Sequence, residues 1–415
     1  YGIYAVKGIP ESWSFFQGQI SYEDYMSQLG GFTASRYDPD AWADLFARAG
    51  AKYAVLTTKH HDGVALWDTH ANDLSVVKKT PAGRDLIGPY CRALRQRDFK
   101  VGLYFSHLDW SHPDYASVRH PNSLTNPDGT VRRNRFSEPP GDEDPAAWGR
   151  FIRFHRAQLQ ELAEKYHPDL WWFDGDWERS PEQFDFKGLR ELLHQWQPNV
   201  VLNSRMGGYG DYETPEQGNP LVAPKGPWEF CMTINDSWGY QVQDHNHKSP
   251  ESIVRVFCEC IGRGGNLLLD VGPKEDGTIL PEQIERLEAL GRWIDKHREA
   301  VYETDAGLPA GYLYGQSTMK KDRSAVYAFF FGKPRGELVV QGLVGNIKRV
   351  SVVGSGQTLK HRVVGGAAWV GLPGQLLFDL PVDELDPLAT VIKIETEGPV
   401  KVWDGHSMQV EVNAL

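Results

Sequence analysis

The side chains best suited to chemistry in this sequence stand directly after apolar runs. Asp174 closes Leu170-Trp171-Trp172-Phe173-Asp174, and Arg205 closes Val200-Val201-Leu202-Asn203-Ser204-Arg205. Tyr53-Ala54-Val55-Leu56-Thr57-Thr58-Lys59 runs into His60-His61-Asp62-Gly63. Lys100-Val101-Gly102-Leu103-Tyr104-Phe105-Ser106 carries Tyr104 and continues to His107, Asp109 and Trp110. Asp211-Tyr212-Glu213-Thr214-Pro215-Glu216-Gln217 follows Arg205 closely. Polar groups are costly to bury without a task. Carboxylates, imidazoles, an arginine and aromatics gathered at one place suit the handling of a sugar. Sugar hydroxyls need hydrogen-bond partners, the C–H face of the ring needs a flat apolar surface, and glycoside cleavage needs two carboxyl groups flanking the scissile bond.

The elements that must position these groups follow from the apolar texture. The runs named above, with Gly265-Asn266-Leu267-Leu268-Leu269-Asp270-Val271-Gly272 and a candidate over Trp228 to Ile234, are near-continuously apolar, as strands buried on both faces are. Helical patterns lie between them: Trp148, Ile152, Leu159 and Ala163 share a face, as do Ile284, Leu287, Gly291 and Ile294 behind Pro281. Repeated strand-then-helix units imply a parallel sheet, and their number favours a closed (β/α)8 barrel over an open sheet. In a barrel the strands' C-terminal ends carry the active site, which is where these polar groups fall. After about residue 300 the runs Ala325 to Phe331, Glu337 to Val340, Arg349 to Val353 and Thr390 to Ile394 are short, β-rich and separated by Gly and Pro. They read as an antiparallel β-sandwich. The expected organisation is a catalytic α/β domain over residues 1–300 and a C-terminal sandwich over 301–415, with the boundary near His297 to Leu308.

Each candidate has a plainer reading beside the functional one. Asp174 is a catalytic carboxylate or a strand-end residue capping the next turn; Asp176 and Glu178 lie beyond the strand end. His60 and His61 could ligate a metal, but adjacent residues seldom bind one ion together and no third ligand stands at helical spacing. Imidazoles donating to sugar hydroxyls fit better, and no metal or cofactor is expected. Arg205 is a substrate ligand or the partner of a buried carboxylate, since buried Arg is nearly always paired. Trp238, in Ser237-Trp238-Gly239-Tyr240, is a stacking platform or plain core. Gly262-Arg263-Gly264-Gly265-Asn266 precedes a strand and lacks a closing Lys-Ser/Thr, so a tight turn explains it better than a phosphate loop.

Composition narrows the class of partner. The 415-residue chain carries a net charge of −11, which disfavours nucleic acid. No apolar run reaches the length of a membrane span. Cys258-Glu259-Cys260 is too tight for a usual zinc pair, so the four cysteines read as buried thiols.

In order along the chain, these pieces resemble glycoside hydrolase family 29, the α-L-fucosidases. The pieces are Tyr1-Gly2-Ile3-Tyr4-Ala5-Val6, Lys59-His60-His61-Asp62-Gly63 with Leu66-Trp67-Asp68, Gly102-Leu103-Tyr104 with Ser106, and Trp172-Phe173-Asp174-Gly175. Trp228-Glu229, Ser237-Trp238-Gly239-Tyr240, Gly264 to Leu269, Val271-Gly272-Pro273 and Asp276-Gly277 complete them. The resemblance implies a retaining exo-acting enzyme that removes terminal fucose from fucosylated glycans, in a secreted, periplasmic or lysosomal-type compartment. Asp174 would be the nucleophile; His60, His61, Tyr104 and Arg205 would grip the fucose; Trp13, Trp172 and Trp238 would line the pocket. A sugar-binding His is expected just before Tyr1. For the acid/base, the resemblance leaves Glu216 preferred, Glu229 a close rival and Glu213 a distant third. Linkage preference is assigned to loops such as Asn122 to Asp144. Rival readings are a non-catalytic fucose-binding protein, a metal-dependent hydrolase, and a retaining glycosidase for another sugar.

Overall fold

The computed structural model describes residues 1–115, 145–367, 369 and 371–404. The chain groups into two compact units, the first Tyr1–Thr214, Cys231–His247 and Leu269–Glu288, the second Pro215–Phe230, Lys248–Leu268 and Ala289–Leu415.

In the first unit four strands, β1 (Tyr53–Lys59), β2 (Lys100–Ser106), β3 (Leu170–Asp174) and β4 (Val201–Leu202), form a sheet in sequence order. All three pairings are parallel. Its register sets Thr57 beside Tyr104, Tyr104 beside Trp172, and Ser106 beside Asp174, so the polar strand ends finish together. The ladder between β1 and β2 is irregular at Thr57 to Lys59, immediately before His60. Helix α1 (Pro39–Arg48) precedes β1, and α2 (Ile87–Arg95), α3 (Pro145–Tyr166) and α4 (Phe186–Trp196) lie between the strands. Local chemistry starts them. The Asp38 carboxylate accepts from the Ala41 N–H at 3.0 Å with Pro39 in the first turn, and Asp185, at φ 50°, accepts from Gly188 N–H at 3.1 Å.

β1, β2 and β3 coincide with their apolar runs, and β3 is buried at every residue. The fourth run ends early, at Leu202 instead of Arg205. The Asn203 side chain is the reason: its amide accepts from Phe173 N–H and donates to Phe173 C=O, both at 2.8 Å. A side chain thus makes the two bonds a further ladder residue would make, and the backbone is released to turn. The buried stripe of α3 also differs from expectation. Leu159 and Ala163 are buried, but Trp148 and Ile152 are only half-buried, and Phe151, His155, Gln158 and Leu162 complete the face. Two buried polar residues on that stripe hid its phase.

Two further strands, β5 (Glu229–Thr233) and β6 (Asn266–Asp270), pair with each other; the helices α5 (Pro250–Gly262) and α6 (Pro281–Lys296) follow them. Beyond residue 300 lie β7 (Thr304–Ala306), β8 (Gln316–Lys320), β9 (Val326–Phe330), β10 (Leu338–Val340), β11 (Leu343–Val344), β12 (Ile347–Val352), β13 (His361–Val364), β14 (Gln375–Phe378), β15 (Thr390–Thr396) and β16 (Lys401–Val402). A five-stranded sheet in the order β12-β15-β9-β8-β7 and a three-stranded sheet β10-β14-β13 are antiparallel. Val326, Ala328, Phe330, Val350, Ile392 and Ile394 from the larger sheet share one core with Val340, Leu376 and Phe378 from the smaller. The fold is therefore mixed: a parallel α/β part followed by antiparallel β structure. All four cysteines are buried thiols, and burial pushes the Cys91 and Cys260 thiols up to about 12.

Candidate active site

The shared register of β2 and β3 brings Tyr104 and Asp174 together. Asp174 is buried, with Tyr104 Oη donating to its Oδ2 at 2.8 Å and the Arg205 guanidinium meeting its Oδ1 at 2.7 Å. Arg205 reaches it because the chain turns after Leu202. Its guanidinium also lies over the Trp172 ring, 4.5 Å from the centroid. Trp172 stacks on Tyr104 at 5.6 Å, and Tyr104 stacks on His60 at 5.7 Å with their planes 6° apart. Four predicted residues, Tyr104, Arg205, Trp172 and His60, therefore gather around the Asp174 carboxylate within the first unit. Gly175, at φ +85°, closes the strand; a Cβ there would strike Leu108.

His61 Nε2 lies 3.7 Å from Asp174 Oδ2. Its Nδ1 is 2.6 Å from Ser106 Oγ, whose own proton goes to Leu108 C=O at 2.9 Å. Ser106 must then accept from Nδ1–H, which leaves Nε2 bare on a neutral ring. Burial, reinforced by the Lys59 and Arg205 charges, lowers the His61 pKa to about 3. Bare Nε2 can accept from a sugar hydroxyl, so this imidazole is an acceptor where the sequence suggested a donor. His60 Nδ1 bonds Ser12 Oγ at 2.8 Å, and loss of water around the ring pushes its pKa well below the usual histidine range.

Trp13 joins the same cluster, edge-on to His61 at 5.6 Å and to Trp110 at 5.2 Å, and stacked with the partly exposed Trp177 at 6.2 Å. The flanking acids separate by partner. Glu178 is buried and accepts from Trp110 Nε1 at 3.2 Å and Tyr115 Oη at 2.6 Å. Asp176 accepts from the Gly207 N–H at 3.1 Å, and burial raises its pKa.

A second layer was missed by sequence reasoning. Lys59 is fully buried and paired with Asp109 at 3.3 Å, and it sits 4.4 Å from the Phe105 ring centroid. Asp62 accepts from Tyr25 Oη at 2.6 Å and from Val64 N–H at 3.0 Å; burial lifts its pKa to about 6. Gly63, at φ +78°, packs so closely on the Asp109 carboxylate that a Cβ there would collide with it. Lys59 at the end of an apolar strand was one signal; Asp62 and Asp109 stood among the strand-end polar groups, but nothing in the sequence pairs them.

The remaining candidates stand elsewhere. Trp238 is half-buried after β5, outside the ring contacts around Asp174. Glu213 and Glu216 are exposed; Glu229 is buried at the start of β5. Glu216 and Glu229 belong to the second unit. The Asn122 to Asp144 segment lies outside the described residues. Among the described residues no group of three or more His, Cys, Asp or Glu could hold a metal, and no helix is long and apolar enough to cross a membrane.

Residues 1–299 match the family profile described as Alpha-L-fucosidase. The chain belongs to this family. It is 32% identical over 389 residues to the tissue α-L-fucosidase of Macaca fascicularis, covering 89% of this chain and 75% of that protein. Among solved structures it resembles α-L-fucosidase isoenzyme 1 from Paenibacillus thiaminolyticus, with a TM-score of 0.82, 32% identity and coverage of 96% and 95% of the two chains. A GH29 α-L-fucosidase from Bacteroides thetaiotaomicron, trapped as a covalent intermediate with 2-fluoro-fucosyl fluoride, matches with a TM-score of 0.80 and 26% identity over 95% of this chain and 92% of that one. Like its α-L-fucosidase relatives, the chain is a glycoside hydrolase.

Proposed function

We propose that this chain is a retaining exo-α-L-fucosidase that releases terminal α-L-fucose from fucosylated glycans, with Asp174 as its nucleophile. The observation that carries the assignment is the Asp174 carboxylate at the end of β3, held by Tyr104 Oη at 2.8 Å and Arg205 at 2.7 Å. Two fixed donors aim the carboxylate. Attack on the anomeric carbon forms a fucosyl ester as the aglycone oxygen leaves with a proton from the acid/base. Water, deprotonated by the same residue, then cleaves the ester. Bare His61 Nε2 accepts a hydrogen bond from a hydroxyl of the sugar, and His60, Tyr104, Arg205 and Trp172, with Trp13 and Trp238, form the pocket. Glu216 is the preferred acid/base and Glu229 its rival; in a retaining pair the carboxyls work about 5–5.5 Å apart. The finer fold in this reading is a (β/α)8 barrel over residues 1–300 and a β-sandwich over 301–415.

Asp174→Gly is expected to abolish hydrolysis of an aryl α-L-fucoside while binding persists; normal turnover would sink the assignment. Glu216→Ala and Glu229→Ala, assayed with added azide, identify the acid/base: rescue with formation of the β-fucosyl azide marks the variant that lost it. Rescue of Glu229→Ala alone would reverse the stated preference.

A further inference from the structure

We infer that His107 is a positioning residue, which holds the strand end carrying Asp174 and the turn carrying Arg205 in fixed relation through a one-way hydrogen-bond relay from Arg156. The inference rests on the reading of Asp174 and Arg205 given above. His107 makes two connections. Its backbone N–H donates to Asp174 C=O at 2.8 Å, and its ring Nε2 lies 3.2 Å from Arg205 C=O. The same ring's Nδ1 is 3.1 Å from His155 Nε2, and His155 Nδ1 is 3.1 Å from the Arg156 guanidinium.

The two ends of this chain fix its direction. A guanidinium only donates and a carbonyl only accepts. With one N–H on each neutral ring, a single arrangement satisfies every contact: Arg156 donates to His155 Nδ1, His155 Nε2–H to His107 Nδ1, and His107 Nε2–H to Arg205 C=O. Both rings are fully buried, and burial, assisted by the Arg156 charge, drives both pKa values well below the usual histidine range. A proton added to either ring would set two N–H groups against each other. The His107 ring is itself clamped, stacked on Phe173 at 4.6 Å and packed against Phe186 at 4.7 Å.

Arg205 needs such a hold. The last residue of β4 paired with β3 is Leu202, so the sheet does not fix the Arg205 backbone. Its guanidinium nevertheless has to meet Asp174 Oδ1 at 2.7 Å. His107 supplies a link between the two strand ends beside the Gly207 N–H bond to Asp176, and α3 orients His107 through His155. Packing alone would require neither nitrogen; Leu at these positions would fill the same space.

The test compares His107→Leu with His107→Gln, whose amide nitrogen reaches about as far as imidazole Nε2 and keeps the donor. His155→Met breaks the relay further from the substrate. kcat and KM on an aryl α-L-fucoside are measured per folded enzyme, with thermal melting alongside. His107→Leu is expected to lower kcat about 10- to 100-fold, in line with loss of near-attack geometry, while KM moves less than about threefold. His107→Gln should recover most of that loss, and His155→Met should lose kcat in the same direction. A folded His107→Leu with wild-type kcat, or equal losses in the Leu and Gln variants, overturns the relay. Should His107→Leu not fold, unchanged kcat in His155→Met overturns it instead. Turnover by Asp174→Gly would reject the nucleophile, whereas an inactive Asp174→Gly beside a fully active His107→Leu rejects the relay alone.

Discussion

Replacing Tyr104 with Phe removes one hydrogen bond to the nucleophile and keeps the ring that stacks between Trp172 and His60. Loss of water around the phenol, with the Asp174 charge beside it, pushes its pKa well up, so Tyr104 is a donor at every working pH. In the first step negative charge leaves the carboxylate as the ester forms; in the second it returns. A donor on Oδ2 favours the charged carboxylate over the ester, so its loss falls on the second step. A hydrogen bond to a charged group is worth about 1.5–3 kcal/mol. With about half the charge returned in an oxocarbenium-like transition state, the cost is about 0.8–1.5 kcal/mol, or roughly 4- to 13-fold in rate. The first step is spared, because the same bond stabilises its ground state more than its transition state. Stopped-flow with an aryl α-L-fucoside bearing a good leaving group should show a burst approaching one aryl group per site. kcat and KM should then fall together, with kcat/KM nearly unchanged, as accumulation of a covalent intermediate requires. A fall in kcat/KM by the full factor with no burst would refute this reasoning and place Tyr104 in substrate binding or the first step.

Two other expectations concern stability. Lys59→Met leaves Asp109 buried beside an apolar side chain, and breaking a buried pair costs about 3–5 kcal/mol; a loss under about 1 kcal/mol in urea unfolding would contradict that estimate. His155→Gln removes a ring whose folded pKa lies well below its unfolded value. Between those two values the unfolded chain binds a proton that the folded ring refuses, so this histidine's contribution is complete above about pH 6.5 and is lost as pH falls. The variant's unfolding free energy should fall less steeply below pH 6.5, by up to about 1.4 kcal/mol per pH unit, and identical slopes would rule the effect out.

The legible parts of the fold were those written in short, local patterns. β1, β2 and β3 stand out because a strand buried on both faces needs an unbroken apolar run. β4 stood out too, but its end did not, because Asn203 replaces two ladder bonds with its own amide, and no periodicity marks that exchange. The α3 stripe was misphased because His155 and Gln158 occupy buried positions that a hydrophobic pattern reserves for apolar residues. His155 breaks the pattern where it feeds the relay to Arg205.

The site follows the same division. Asp174, Asp176 and Glu178 lie within five residues of one another, and residue type cannot rank them. Position at the strand end favoured Asp174, and its partners support the proposed reading. Asp176 is bound by a backbone N–H and Glu178 by a core indole and phenol. Those donors are fixed by the fold, so the two acids act as structural acceptors. Asp174 meets a phenol from the neighbouring strand and a guanidinium from the turn after β4, 70 and 31 residues away along the chain, and the donors of Asp176 and Glu178 are as distant. Nothing local brings such groups together. The parallel register sets Tyr104, the Asn203 turn frees Arg205, and the His107 link holds that turn against β3. On the proposed reading three long-range devices position the Asp174 carboxylate, and each is a place where one substitution should change the chemistry without touching the acid itself.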